Sequence, residues 1–472
     1  MPGLVAQPPR RRNNWGPAAG GWGLAGVRRF ASTAATCRRR TAFFPLAFPV
    51  IVRGVKFLHA ADLHLDSPLR GLERYEGAPV ERMRGATRRA FENAVDLCLD
   101  EGVDFVLLAG DLYDGNWKDY STGLFFAAQM SRLRQADIAV VWIRGNHDAA
   151  SQITRHLRLP ENVVELSTRA PQTHVLEPLG VAVHGQGFPE RAVVRDLAER
   201  YPRGLDGHFN IGLLHTCASG REGHENYAPC NLQTLTDKGY DYWALGHVHR
   251  REVLGREPWV VFPGNLQGRH ARETGSKGAT LVEVEGGRVS RAEHRALDVV
   301  RWEVLEIDAA EAVSADDVVD LVRERLAAAA AAAEGRALAS RLLVTGATRA
   351  HEALQTESER WEAAIRVQAN DVAEGVWVEK LALNTRPDED VEELAARDDA
   401  IGQVLRSLRA LRGDEDRLAQ LLAKFGDLRR KIPANLREGD DAIRLEDPEA
   451  IRAALEDVEQ ILLPRLLSRG GA

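Results

Sequence analysis

The chain has 472 residues, 44% hydrophobic and 28% charged, an ordinary mixture for globular protein with room for two to four domains at roughly 100–200 residues each. It holds no run of about 18 uncharged apolar residues, which argues against a membrane span. Its four cysteines, Cys37, Cys98, Cys217 and Cys230, lie too far apart for a zinc knuckle or a disulfide framework, so a reducing cytoplasm is the natural setting.

The net charge of −7 conceals an uneven distribution. Residues 1–54 hold nine arginines and no Asp, Glu or Lys, while the remaining 418 residues carry 53 basic and 69 acidic side chains, a net −16. An arginine-rich, acid-free start resembles an organellar transit peptide. A start codon set too far upstream would produce the same composition, and we take that reading; either way the fold is expected to begin at Val55.

From Val55 to about Val284, short apolar runs alternate with stretches of helical periodicity, the pattern of an α/β domain spanning 55–298. Strands are expected at 55–60, 104–110, 138–145, 209–216, 240–247 and 259–264, and helices at 87–102 and 122–137. Several strands are almost wholly apolar, as in sheets covered on both faces. Beyond 299 a strand at 301–308 precedes a helix over 314–326 capped by Ser314, which seven alanines at 327–333 extend to near Gly335. A strand at 340–348, a helix around 351–365 and a strand at 375–385 complete a smaller α/β unit, 299–386. Pro387 opens a mostly helical region, 387–472. One apolar stripe there runs through 391, 394, 401, 404, 405, 408 and 411, and another through Leu418, Leu421, Leu422, Phe425 and Leu428. Such stripes are read first as internal core and second as a docking surface.

Chemistry collects where the strands end. The first runs into Asp62-Leu63-His64, the second into Gly110-Asp111-Leu112-Tyr113-Asp114 and the third into Gly145-Asn146-His147-Asp148; the fourth ends at His215 and the fifth at Gly246-His247-Val248-His249. Open parallel sheets place their ligand crevice at these C-terminal ends. A His-x-His pair there points both imidazoles to one side, because side chains alternate with a period of two. Alone, any of these residues has a plainer role, as a capping Asp, a hydrogen-bonded core His or a solvated turn. Five such ends in order imply metal. Asp, His and Asn suit manganese, iron or zinc better than calcium, and Asp111 can bridge two ions. Two ions held together can activate a water and clamp the attacking and leaving oxygens of a phosphoryl centre.

In this order D-x-H, GD-x-x-D, GN-H-D, H and GH-x-H resemble the calcineurin-like metallophosphoesterases over roughly residues 55–284. The resemblance implies a sandwich with helices outside, two divalent ions, manganese the expected one, and a division of ligands: Asp62, His64, Asp111 and His249 for one ion, and Asp111, Asn146, His215 and His247 for the other. His147, oriented by Asp114, would donate a proton to the leaving oxygen or stabilise it. ADLHLDSPLRGL (61–72), GREGHENYAPC (220–230), GYDYWALGHVH (239–249) and PGNLQGRHARETG (263–275) look like the YhaO group of bacterial DNA exonucleases, relatives of SbcD. That implies a DNA substrate, a capping role for the small α/β unit, and a helical region that docks an SMC-like or AAA-type ATPase; a homodimer is compatible with it. Some break-repair relatives carry histidine where this chain has Asp114, so strand polarity is not carried over.

Outside the ligand set, Arg269 and Arg272 could hold phosphates bidentately or serve as surface ion-pair formers. His224 and Tyr227, in a Gly-rich loop, could line a substrate groove or pack the loop. His184 is read as a satisfied core histidine rather than a group near the metals. The net-negative chain lacks the overall basic balance of many nucleic-acid binders. Two other functions therefore compete with a DNA nuclease: a metallophosphatase or phosphodiesterase for small molecules or phosphoproteins, and a non-catalytic scaffold of the ATPase. The appended 299–472 argues against the first, and the complete ligand set against the second.

Overall fold

The computed structural model describes residues 54–67, 85–114, 120–150, 158–218, 228–388, 391–432, 444–445 and 447–470. The expectations for residues 1–53, His224 and Tyr227 lie outside the described residues.

Two six-stranded sheets make the larger unit. The first runs, edge to edge, Arg288–Ala296 (β12), Gly278–Glu285 (β11), Val55–Ala60 (β1), Phe105–Leu108 (β2), Ala139–Trp142 (β3) and Val163–Glu165 (β4). Its partner runs Gln172–Leu176 (β5), Val181–Gly185 (β6), Phe209–His215 (β7), Tyr242–Gly246 (β8), Trp259–Phe262 (β10) and Glu252–Arg256 (β9). Strands β1 to β4 are parallel to one another, as are β6, β7, β8 and β10. Alternation divides each strand between two cores. Phe57, Phe105 and Leu107 meet Ile211, Leu213 and Tyr242 between the sheets, with Phe57 stacked on Phe105 at 4.9 Å and edge-on to Tyr242 at 5.3 Å. Their neighbours Leu58, Val106 and Leu108 face outward, under Phe91 and Val95 of helix Ala86–Glu101 (α1) and Phe126 and Met130 of helix Tyr120–Gln135 (α2). The chain is therefore an α/β sandwich with helices outside, and each fully buried Phe contributes about 2–3 kcal/mol.

The strands expected from sequence are present. Strands β4, β5, β6, β9, β11 and β12 were not foreseen, although Gly286 and Gly287, both at positive φ, mark the β11–β12 hairpin in the way a two-glycine turn should. The helix expected around 351–365 is two, His351–Thr356 and Ser358–Val372, separated at Glu357 by a non-helical φ of −116° and ψ of 39°.

A parallel three-stranded sheet, Val300–Asp308 (β13), Ala337–Ala347 (β14) and Val376–Arg386 (β15), forms the smaller unit. Ser314 caps helix Ala315–Ala332 with a complete capping box, accepting from the Asp317 N–H while Asp317 accepts from the Ser314 N–H. In the following helices parts of both stripes pack internally, Leu394, Ile401 and Leu405 clustering together and Leu418 packing with Ile451 and Leu455, while Leu428 is exposed. Among the described residues no helix is long and apolar enough to cross a membrane.

Trp302 of β13 joins the smaller unit to the site-bearing one. It is buried, packs edge-on to Trp377 at 6.2 Å, and its indole N–H donates to the Gly268 carbonyl at 3.0 Å. Beside it Asp298 pairs with Arg301 and Arg336. Trp302→Ala should cost about 3–5 kcal/mol, the usual penalty for truncating a buried Trp, read as a lower urea midpoint; an unchanged midpoint would show that the seam contributes nothing.

Candidate metal centre

The C-terminal ends of β1, β2, β3, β7 and β8 converge on one rim. There the backbone turns sharply: Asp62, His64, Asp111 and His247 have φ of 52°, 42°, 53° and 100°, left-handed conformations that cost non-glycine residues about 1–3 kcal/mol each and cluster at functional sites. Backbone bonds hold the first two loops together, with Asp62 N–H donating to Gly110 O and His64 N–H to Asp111 O, both at 3.0 Å. Two glycines are required by space. A Cβ on Gly145 would collide with the Asp111 carboxylate, and one on Gly246 with the Ala109 carbonyl.

Asp62, His64 and His249 bring ligand atoms within 4.8 Å of one another, as do Asp111, His215 and His247; a third group, His64, Asp111 and His147, overlaps both. His64 Nε2 lies 3.2 Å from His249 Nε2, and His249 Nε2 lies 3.9 Å from Asp62 Oδ1. Asp111 Oδ2 stands 3.9 Å from His64 Nε2 and 3.4 Å from His215 Nε2, between the two groups. Asn146 Oδ1 is 2.9 Å from His215 Nε2. Because the Ala109 carbonyl, 2.9 Å from His215 Nδ1, can only accept, Nδ1 carries a proton. A neutral ring would then turn its Nε2 lone pair toward the Asn146 oxygen.

Positive charge on the ring or between the two atoms, or an Asn146 amide turned end for end, relieves that contact. Burial would lower the His215 imidazole, but the Asp111 carboxylate overrides it and raises it to about 9. Burial likewise pushes the Asp62 carboxyl up, whereas at Asp111 the surrounding imidazoles of His215, His64 and His147 overcome burial and hold it well below the carboxylate range. Two buried carboxylates, an amide oxygen and four imidazoles facing one another form a donor set that divalent cations satisfy. At its mouth, His147 Nδ1 meets Asp114 Oδ1 at 2.8 Å, and Asp114 Oδ2 accepts from Ser67 at 2.7 Å. Burial would depress the His147 ring, yet its bond to Asp114 and the nearby Asp111 carboxylate raise it.

Comparison with known proteins agrees with this geometry. Residues 55–251 match the calcineurin-like phosphoesterase family, and residues 302–386 match the middle domain of metallophosphoesterase YhaO. The chain carries a calcineurin-like phosphoesterase domain. It is 40% identical over 272 residues to the uncharacterized metallophosphoesterase YhaO of Bacillus subtilis, covering 57% of this chain and 66% of that protein. Over 308 residues it is 26% identical to the DNA double-strand break repair protein Mre11 of Methanopyrus kandleri, covering 57% of this chain and 60% of the other. Over 292 residues it is 27% identical to a subunit of nuclease SbcCD of Rhodobacter capsulatus, covering 50% of this chain and 68% of that subunit. The matched region thus spans 66% and 60% of these first two relatives, less than two thirds of either.

Around the phosphoesterase centre the remaining sequence candidates divide. Arg269 is at the mouth, 4.0 Å from Asp114 Oδ2 and 3.5 Å from Ser67 Oγ. Arg272, on the same connection between β10 and β11, is exposed, its backbone N–H donating to His270. His184 is a core residue, bonded to Thr173 at 2.8 Å and Asn210 at 3.1 Å and stacked on Tyr240. Two acids were assigned no role from the sequence. Asp148 is fully buried and accepts the N–H groups of Tyr113 and Gly145, both at 3.0 Å, tying the loops after β2 and β3 together; its place in the GN-H-D run was the available signal. Glu273 lies 2.6 Å from His249 Nδ1, and no spacing rule points to it.

Proposed function

We propose that the chain is a dinuclear-metal phosphodiesterase that hydrolyses DNA phosphodiester bonds, as an exonuclease in repair or end processing. The observation that carries this is the pair of ligand groups meeting at Asp111 with His147 beside them. Asp62, His64, Asp111 and His249 would hold one ion and Asp111, Asn146, His215 and His247 the other, with manganese favoured by the mixed carboxylate and imidazole donors. Such ions, when bound, supply Lewis-acid activation of water and of the phosphoryl oxygens.

The chain's own groups do the rest. Asp114 accepts the His147 Nδ1–H and so orients the ring, leaving Nε2 to face the substrate, where a protonated ring would give the departing sugar oxygen its proton. Arg269, beside Asp114, can take a flanking phosphate. The relatives named as a nuclease and as a break-repair protein support DNA as substrate. By the same likeness the 299–386 unit would cap DNA, and the 387–472 helices would dock an SMC-like or AAA-type ATPase in the cytoplasm.

The test is degradation of end-labelled single-stranded and duplex DNA by the full chain, with and without Mn²⁺, alongside a small aryl phosphodiester. Manganese-dependent loss of DNA is expected. Hydrolysis of the small diester with both DNAs intact would overturn the nuclease reading.

A further inference from the structure

The strap between β10 and β11 holds an acid that the reaction above leaves unused. Glu273 is buried, with Oε1 2.6 Å from His249 Nδ1 and Oε2 accepting from Asn265 Nδ2 at 2.9 Å and from the Arg269 backbone N–H at 2.7 Å. A carboxylate only accepts, so the proton of that short contact sits on His249 Nδ1, and the neutral ring keeps its lone pair on Nε2. That nitrogen is the one facing Asp62 and His64.

We infer that Glu273 is the positioning residue for the ligand group Asp62, His64 and His249, fixing the His249 tautomer that can bind an ion. The inference rests on the two-ion reading and adds a residue to it. A carboxylate behind a metal-binding imidazole is a recurrent means of setting ring orientation and basicity. Here it also overrules a competitor: Arg269 Nη2 lies 3.4 Å from the same Nδ1, and a guanidinium only donates. Without Glu273 that donor favours the lone pair on Nδ1 and the proton on Nε2, the form that cannot ligate. The strap is itself clamped from the far side, where the Trp302 carbonyl accepts the Gly275 N–H and the Trp302 indole donates to Gly268.

Glu273→Gln is a sharp test because it keeps the volume. The amide oxygen is drawn to the two close donors on the Oε2 side, Asn265 and the Arg269 N–H at 2.9 and 2.7 Å, over the single longer one on the Oε1 side, Arg269 Nη2 at 3.4 Å, which turns the new NH₂ toward His249 Nδ1 and imposes the wrong tautomer. Calorimetric titration of the full chain with Mn²⁺ should find two ions in the native protein. In E273Q one should persist while the other weakens about 10–100-fold, with an unchanged metal-free melting temperature. Glu273→Asp, which still only accepts, should fall between the two. E273Q binding both ions at native affinity, or E273D binding more weakly than E273Q, would overturn the positioning role and leave the two-ion centre standing. A native chain that takes up no Mn²⁺ would overturn both.

Discussion

Asp111→Asn should lower Mn²⁺-dependent phosphodiester turnover by about 10³-fold or more. Asp111 is the carboxylate that reaches both ligand groups, 3.9 Å from His64 and 3.4 Å from His215, so its neutralisation weakens both ions together. A bound ion contributes several kcal/mol of charge stabilisation, and each 1.4 kcal/mol is tenfold in rate. The same substitution should erase metal-induced stabilisation. Saturation at about 100 times Kd adds about 2.7 kcal/mol to a native state, which appears as an upward shift in Tm on adding Mn²⁺. In Asp111→Asn that shift should vanish while the far-UV dichroism stays native. Full turnover in the variant would mean that the chemistry lies elsewhere.

The strength of that expectation comes from features of different legibility. The candidate ligands could be read from sequence because each is written at or directly after the end of an apolar strand, and parallel strands deliver their C-terminal ends to one rim. The glycines before Asp111, Asn146 and His247 carried information too. Gly145 and Gly246 leave no room for a Cβ, a constraint set by the neighbouring strand rather than by local propensity. Trp302 and Glu273 were illegible for the opposite reason: their partners Gly268 and His249 are 34 and 24 residues away, and only tertiary packing brings them together. The edge strands β4, β5 and β9 lack the fully buried character of the central ones, so the apolar signal that revealed β2 and β8 was faint there. Arg269 and Arg272 looked equivalent in sequence; the strap turns one toward Asp114 and leaves the other exposed.

On the proposed reading, position separates groups that would hold ions from groups that would handle protons, and the latter carry a distinct expectation. His147→Ala should reduce turnover by about 10²–10⁴-fold, the range of a lost general acid, while leaving two-ion Mn²⁺ binding close to native. His147 is half-buried at the mouth, bonded to Asp114 through Nδ1, and its ring is not needed by either four-ligand group. Asp114→Asn should produce a smaller loss of the same kind, because Ser67 and Arg269 still hold the side chain but the amide no longer favours the charged ring. A phosphodiester with a nitrophenolate leaving group, which departs without protonation, discriminates the role. If His147 delivers a proton, the variant's deficit should shrink markedly on that substrate relative to an alkyl or DNA ester. An equal deficit on both would instead assign His147 to binding the phosphoryl oxygens, and loss of one Mn²⁺ in His147→Ala would move it into the ligand set.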